Sequence, residues 1–274
     1  MFRRVVVVLA DGLRPDVITP DTMPVLHLLG ENFYRAVSAR TIDPPRTVAA
    51  LTSLTTGISP ARHKLFEPGL GIISKGRDLR PLPRVLRAAG MRTAVVAGDL
   101  PAAARPVARA LAMAGGIDEI DFVGDNARLT AIAAGAATSR LQDGLLFVYM
   151  PDCDRAGHAH GWMTGPYLEK AVDVDAAIGS IARTLDGETL LIVLADHGGG
   201  GVEPKDHAQP HPLNEQIPLI IAGKQVCAET TPALEVSILD VPATILWALD
   251  VDVPDEYEGR VLLEAFAVEG VAVA

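Results

Sequence analysis

Short, unbroken apolar runs alternate along this chain with segments whose apolar residues recur every three or four positions. Val5 to Ala10 is one such run, cut off by Asp11-Gly12, and comparable runs occupy Thr93 to Ala97, Leu145 to Met150, Leu190 to Ala195 and Pro218 to Ile221. Runs of this length without polar alternation predict strands covered on both faces, the pattern of a parallel sheet. Between them, Leu82, Val85, Leu86 and Ala89 share a helical face closed by Gly90, and Val107, Ala108, Leu111 and Ala112 share another closed by Gly115-Gly116. Leu168, Val172, Ile178, Ile181 and Leu185 predict a longer helix after Pro166, and Val236 to Leu249 a further one that tolerates Pro242 near its start. The alternation predicts an α/β fold: a central, mostly parallel sheet flanked by helices on both faces.

In such folds ligands gather beyond the carboxyl ends of the strands. Asp11 ends the first run, Asp152 and Asp154 follow the run closing at Met150, and Asp196-His197 follow the run closing at Ala195. Residues far apart in sequence are thereby expected to meet at one edge of the sheet. The irregular stretch from His63 to Arg80 is either a loop near that edge or a solvent-exposed connection.

Composition narrows the classes. The chain has 274 residues, 49% hydrophobic and 21% charged, enough for one substantial core and consistent with a single domain over residues 1–274. Its formal net charge is −10 and it has no run of basic residues, which argues against a grip on duplex nucleic acid. Small anionic substrates stay open, because bound metal ions can reverse the local sign. Cys153 and Cys227 are the only cysteines, in no CxxC arrangement, which fits a reducing, cytoplasmic setting. Val5 to Ala10 reads as a first strand and not a signal peptide, and no apolar stretch approaches the roughly 18 residues of a membrane span. Nothing in the pattern sets an oligomeric state.

The polar residues at the strand ends have metal-ligand character. Asp154 and His158 stand four apart, so a turn or first helical turn would aim both at one ion; the bland alternative is a capping or surface pair. Asp196-His197 follows a buried strand, where two polar side chains cost several kcal/mol unless satisfied, about what a metal ion would supply. Here the alternative is a strand-end turn capped by Asp196. The glycines after His197 permit a tight turn or close backbone approach. Asp152 competes with Asp154, and spacing does not choose between His207 and His211 as a further ligand. His160 is either an accessory contact or an exposed loop residue. Mixed carboxylate and imidazole ligands suit zinc or manganese.

Val48, Leu51, Leu54 and Thr55 have helical spacing ending at Gly57, which puts Thr47 at the N-cap or in the first turn, where free backbone N–H groups favour an anion. A threonine at that place serves equally as an ordinary cap. Arg46 is either a phosphate contact or a solvated charge.

With these pieces together, the chain resembles the alkaline phosphatase superfamily in its type I phosphodiesterase/nucleotide pyrophosphatase branch. The matching stretches are VVVLADGLRPD from Val5, PPRTVAALTSLTTG from Pro44, YMPDCDRAGHAHG from Tyr149, LADHGGGG from Leu194, IPLIIAG from Ile217 and SILDVPATIL from Ser237. The resemblance implies two divalent metal ions, zinc or manganese. One would be held by Asp11, Asp196, His197 and the Thr47 hydroxyl, the other by Asp154, His158 and a later histidine. For that histidine His207 is chosen, ten residues before the Ile217-Pro218 strand start, with His211 as runner-up. Thr47, ten residues before Gly57, matches the family nucleophile.

The implied activity is hydrolysis of a phosphodiester or pyrophosphate in a small phosphate-ester substrate through a phospho-threonine. Phosphomonoester or phosphonate hydrolysis, or a non-catalytic metal-binding homologue, are the alternatives. The chain lacks the Cys-x-Pro-Ser-Arg motif of the sulfatases, and Val48-Ala49-Ala50 replaces the Phe-Pro-Asn that often follows the threonine. It also has little room for the large cap of the mutases in this superfamily.

Overall fold

A computed structural model describes residues 1–36, 38–67, 79–98, 102, 105–124, 126–228 and 235–267. Its strands are β1 (Arg4–Ala10), β2 (Tyr34–Arg35), β3 (Ala39–Arg40), β4 (Arg92–Gly98), β5 (Glu119–Val123), β6 (Gly144–Met150), β7 (Thr189–Leu194), β8 (Gln216–Ile217), β9 (Leu219–Ala222) and β10 (Val236–Ser237). The helices are α1 (Pro24–Asn32), α2 (Thr47–Thr56), α3 (Pro60–His63), α4 (Leu82–Ala88), α5 (Arg105–Ala114), α6 (Ala127–Arg140), α7 (Asp152–His160), α8 (Gly165–Ala182), α9 (Pro212–Glu215) and α10 (Asp240–Ala248).

A seven-stranded sheet in the order β2-β9-β7-β1-β6-β4-β5 carries the fold. The five strands from β7 to β5 run parallel, while β9 is antiparallel to β7 and β2 antiparallel to β9. The mostly parallel α/β sheet of the sequence pattern is therefore present, with antiparallel pairing confined to one edge. β1 lies in the middle and Val5 to Ala10 are all fully buried, which explains their unbroken apolar run. Helices cover both faces: α6 packs on β4, β5 and β6 and against α8, while α2, α4 and α10 pack together on the other side. Strands β3, β8 and β10 make a small separate sheet.

Departures from the pattern have local causes. The expected helix from Val236 begins only at Asp240, because Val236 and Ser237 pair with Ala39 and Arg40; Pro242 then falls in the first turn, where its missing N–H costs nothing. β5 and α6 were not marked by the apolar pattern. β5 is an edge strand with alternating Glu119, Asp121 and partly exposed neighbours. α6 buries Ala127, Thr130, Ala131, Ala134, Ala137 and Thr138 while its large apolar Leu129 and Ile132 face outward, so its inner face is marked by small residues. Of the stretch from His63 to Arg80, His63 closes α3 and residues 68–78 lie outside the described residues. Among the described residues no helix is long and apolar enough to cross a membrane.

The docking of α1 onto α8 depends on one buried carboxylate. α1 starts at Pro24 without a side-chain cap, and its orphan Val25 and Leu26 N–H groups donate to Asp175 Oδ2 and Oδ1 at 3.0 and 2.8 Å. Asp175→Ala leaves both donors buried and should lower unfolding stability by about 1–3 kcal/mol in denaturant titration, with Asp175→Asn recovering part of the loss.

Candidate metal centre

The three strands β7, β1 and β6 are neighbours, and their register puts Leu9 level with both Tyr149 and Leu194. Their carboxyl ends therefore stop side by side. Asp11 leaves β1 with its N–H donating to Met150 O at 2.9 Å, and the Asp154 N–H donates to Asp11 O at 2.9 Å. Gly12 makes that approach feasible. Its φ is +69°, and a Cβ there would lie 2.8 Å from the Asp154 Cα. Asp152 is occupied elsewhere: its carboxylate accepts the Ala127 N–H at the start of α6, so Asp154 is the one turned into the cluster.

Asp11, Asp196 and His197 form one group of ligand atoms lying within 4.8 Å of one another. His197 Nε2 is 3.2 Å from Asp11 Oδ1, 3.5 Å from Asp196 Oδ2 and 3.0 Å from the Thr47 hydroxyl. Thr47 is the first residue of α2. Arg46 precedes it in extended conformation, with no side chain capping the helix. Asp154, His197 and His207 form a second group within the same limit. Asp154 Oδ1 lies 3.3 Å from His158 Nε2 and 3.7 Å from His207 Nε2, and the His197 and His207 rings stack at 3.6 Å. The structure thus brings all seven sequence-selected residues to one place, with His158 at the exposed rim. His211 is turned to another use, since its Nδ1 accepts the Leu213 N–H and caps α9. His160 is exposed at the end of α7.

The donor set suits divalent cations. Asp11 Oδ1, Asp154 Oδ1 and Asp196 Oδ2 are buried with no hydrogen-bond partner. Each imidazole also has its Nδ1 against a backbone carbonyl: His197 on Gly198 O at 2.8 Å, His158 on Lys205 O at 2.8 Å and His207 on Pro45 O at 2.7 Å. A carbonyl only accepts, so each Nδ1 carries a proton and each Nε2 is directed at the carboxylates, the arrangement that prepares a histidine for a metal.

Residues 5–69 and 105–234 match the family model described as type I phosphodiesterase / nucleotide pyrophosphatase. The chain belongs to that family. Among curated proteins it is 31% identical to a phosphopentomutase of Clostridium kluyveri over 110 residues, 40% of this chain and 27% of that protein. It is 24% identical to the human GPI ethanolamine phosphate transferase 3 catalytic subunit over 291 aligned residues, 97% of this chain and 26% of that one. The chain thus spans about a quarter of the length of these relatives. Among solved structures it resembles an alkaline phosphatase superfamily protein from Vibrio parahaemolyticus, with TM-score 0.72, 17% identity, and coverage of 94% of this chain and 69% of that chain. It likewise resembles a phosphonate monoester hydrolase from Silicibacter pomeroyi, with TM-score 0.69, 16% identity, and coverage of 98% and 78%. At such identities the likeness concerns the fold, which is alkaline phosphatase-like.

In this family member the crowding of charge at the strand ends leaves a clear electrostatic signature. Burial and the neighbouring Asp11 push the Asp196 carboxyl well above its ordinary range. Burial pushes Asp11 upward as well, but hydrogen bonding and charge from His197, with the hydroxyl of Tyr149, hold it below its ordinary value. Burial works against a charge on His197, yet Asp196 and Asp11 outweigh it and raise its pKa to about 10. His158 is raised to about 9 by the Asp154 carboxylate 3.3 Å away, whereas burial and the charge on His197 lower His207 to about 4. Asp196 and Asp11 thus favour positive charge at this place, which a divalent ion would supply.

Two supporting residues were not singled out from the sequence. Tyr149 donates its hydroxyl to Asp11 Oδ2, and Trp162 packs under the site. Tyr149 sits at the strand end, two residues before Pro151, but nothing in the run Leu145 to Met150 distinguishes it as polar in function. Arg46 is paired with Glu67 in this structure.

Tyr149→Phe should weaken metal binding at the Asp11 group by about 10-fold or more, as loss of an outer hydrogen bond to a ligand does, in competition with a chelating dye. His207→Ala should cost the protein one metal equivalent by elemental analysis. His211→Ala should leave metal content intact and instead lower stability by about 0.5–2 kcal/mol through the lost cap.

Proposed function

We propose that this chain is a metal-dependent hydrolase of phosphodiester or pyrophosphate bonds that works through a covalent phospho-threonine at Thr47. The observation that carries this is the Thr47 hydroxyl, at the uncapped start of α2 and 3.0 Å from His197 Nε2, beside buried carboxylate oxygens that lack partners. Membership of the type I phosphodiesterase / nucleotide pyrophosphatase family supports the reaction class.

Asp11, Asp196, His197 and Thr47 would hold one ion, and Asp154, His158 and His207 the other, with zinc or manganese suited to this mixture of oxygen and imidazole donors. When bound, the ions supply Lewis acidity toward the ester oxygens and lower the pKa of a coordinated hydroxyl. Thr47 Oγ1 then attacks phosphorus in line with the departing oxygen. A P–O bond to Thr47 Oγ1 forms and its hydroxyl proton is released to solvent, while the P–O bond to the leaving group breaks and that oxygen departs with the bonding pair and takes up a proton from solvent. Water next attacks the same phosphorus, its oxygen joins the phosphoryl group, the bond to Thr47 Oγ1 breaks, and one water proton regenerates the Thr47 hydroxyl while the other goes to the released phosphate or to solvent. The first backbone N–H groups of α2 stabilise negative charge on the transferring group. Arg46, next to Thr47, can pair with a phosphoryl oxygen in exchange for Glu67.

Thr47→Ala should reduce turnover of an aryl phosphodiester by at least about 10³-fold while metal content stays near that of the parent protein. The measurement should run beside aryl phosphomonoester, phosphonate and sulfate esters. Undiminished turnover in Thr47→Ala would remove the covalent route, and no turnover of any ester by the metal-loaded parent would remove the enzymatic one.

A further inference from the structure

Trp162 touches the turn after Asp11, helix α7, the glycines after His197 and the loop that leads to His207. It is 6% exposed and follows Gly161, which ends α7 with φ +96°. Its ring nitrogen donates to Gly12 O at 2.8 Å, in the turn after β1. Its backbone N–H donates to Pro204 O at 3.1 Å, in the loop that leads to His207. Gly157 of α7 lies against one part of the ring, where a Cβ would come within 2.5 Å, and a Cβ at Gly199 would overlap it. Gly200 lies against the Trp162 Cβ, where added carbon would stand 2.8 Å away. The ring meets the imidazoles of His158 and His207 edgewise, at centroid distances of 5.3 and 5.9 Å with interplanar angles of 79° and 68°.

We infer that Trp162 is a positioning residue that sets the separation between α7, bearing Asp154 and His158, and the loop bearing His207. The inference rests on the proposed metal-centre reading. The indole is a rigid spacer of fixed thickness held between glycines, with a hydrogen bond to Gly12 that fixes its rotation. His158 and His207 each have one face-to-edge contact with it and one Nδ1–H donation to a backbone carbonyl, and these two constraints together orient the Nε2 atoms. By contrast, His197 is anchored through Gly198 O and its stack on His207, and it has no ring contact with Trp162 among the described residues. Its ring contacts with ligand side chains are those to His158 and His207, the two imidazoles of the Asp154, His158 and His207 group.

The test is stepwise zinc uptake by the full chain, followed by competition with a chelating dye. Trp162→Phe removes the N–H and thins the spacer, and Gly157→Ala displaces the indole without removing it. Both variants should lose affinity by about 10-fold or more in the uptake step that His207→Ala abolishes, with the other step changed by no more than about 2-fold. Equal loss in both steps would show general loosening of the fold and overturn the inference, as would no loss in either. If neither variant folds, the decision falls to Trp247→Phe, which leaves Trp162 as the only tryptophan of the two in the chain. Its emission should change in the uptake step that His207→Ala abolishes and stay constant through the other; any other response overturns the inference. Uptake of two zinc ions by the parent without selective loss in the variants would sink the inference alone. A parent that takes up no zinc would sink both the inference and the metal-centre reading beneath it.

Discussion

Three carboxylates that converge beyond the ends of neighbouring strands repel one another, and positive charge between them or a proton on one of them relieves that repulsion. Asp11, Asp154 and Asp196 meet in this way, each with one oxygen buried and unpartnered. The surrounding architecture answers that requirement. Central placement of β7, β1 and β6 brings the carboxylates to one level, and Gly12 lets two of their turns touch. Three backbone carbonyls fix the histidines with Nε2 inward, so the same cluster that repels itself is lined with atoms able to share a cation.

The two halves of the cluster are held by different means. Asp11, Asp196 and His197 are at most 2% exposed and are fixed by the sheet and the core around it. His158 has a side chain 43% exposed on a short helix, and His207 comes from a loop without regular structure. Their placement therefore depends on packing against one another and against Trp162, not on strand register. Thr47 meets the first half at His197 but comes from outside the sheet. It is delivered by α2 from the opposite layer, which closes the site from above the strand ends.

Legibility in the sequence followed the same division. Buried strands leave unbroken apolar runs, so β1, β4, β6, β7 and β9 were visible, and the carboxylates after three of them could be read by position. The edge strand β5, with Glu119 and Asp121, and helix α6, whose inner face is alanine and threonine, carry no such mark. Asp152 and Asp154 both follow the same strand, and in the sequence only the four-residue spacing to His158 favours Asp154. The structure separates them by a tertiary contact, the Ala127 N–H at the start of α6 donating to Asp152. His207 and His211 differ for the same kind of reason: one reaches Pro45 O across the fold and the other caps the next helix. The glycines after His197 were legible as a place of close approach. Their partners, Leu213 O for Gly198 and the Trp162 ring for Gly199, come from other segments that no local pattern connects.

The central position of β1 has an architectural consequence. From β1 the sheet extends through β6 and β4 to β5 on one side, and through β7 and β9 to β2 on the other. At roughly 4.8 Å per strand, either margin is about 14 Å from the strand that bears Asp11. Material gained or trimmed at those margins, such as a longer edge or an appended lobe, does not have to disturb the cage. The sheet behaves as a chassis whose cargo is mounted amidships, so changes of outline and changes of chemistry can proceed separately.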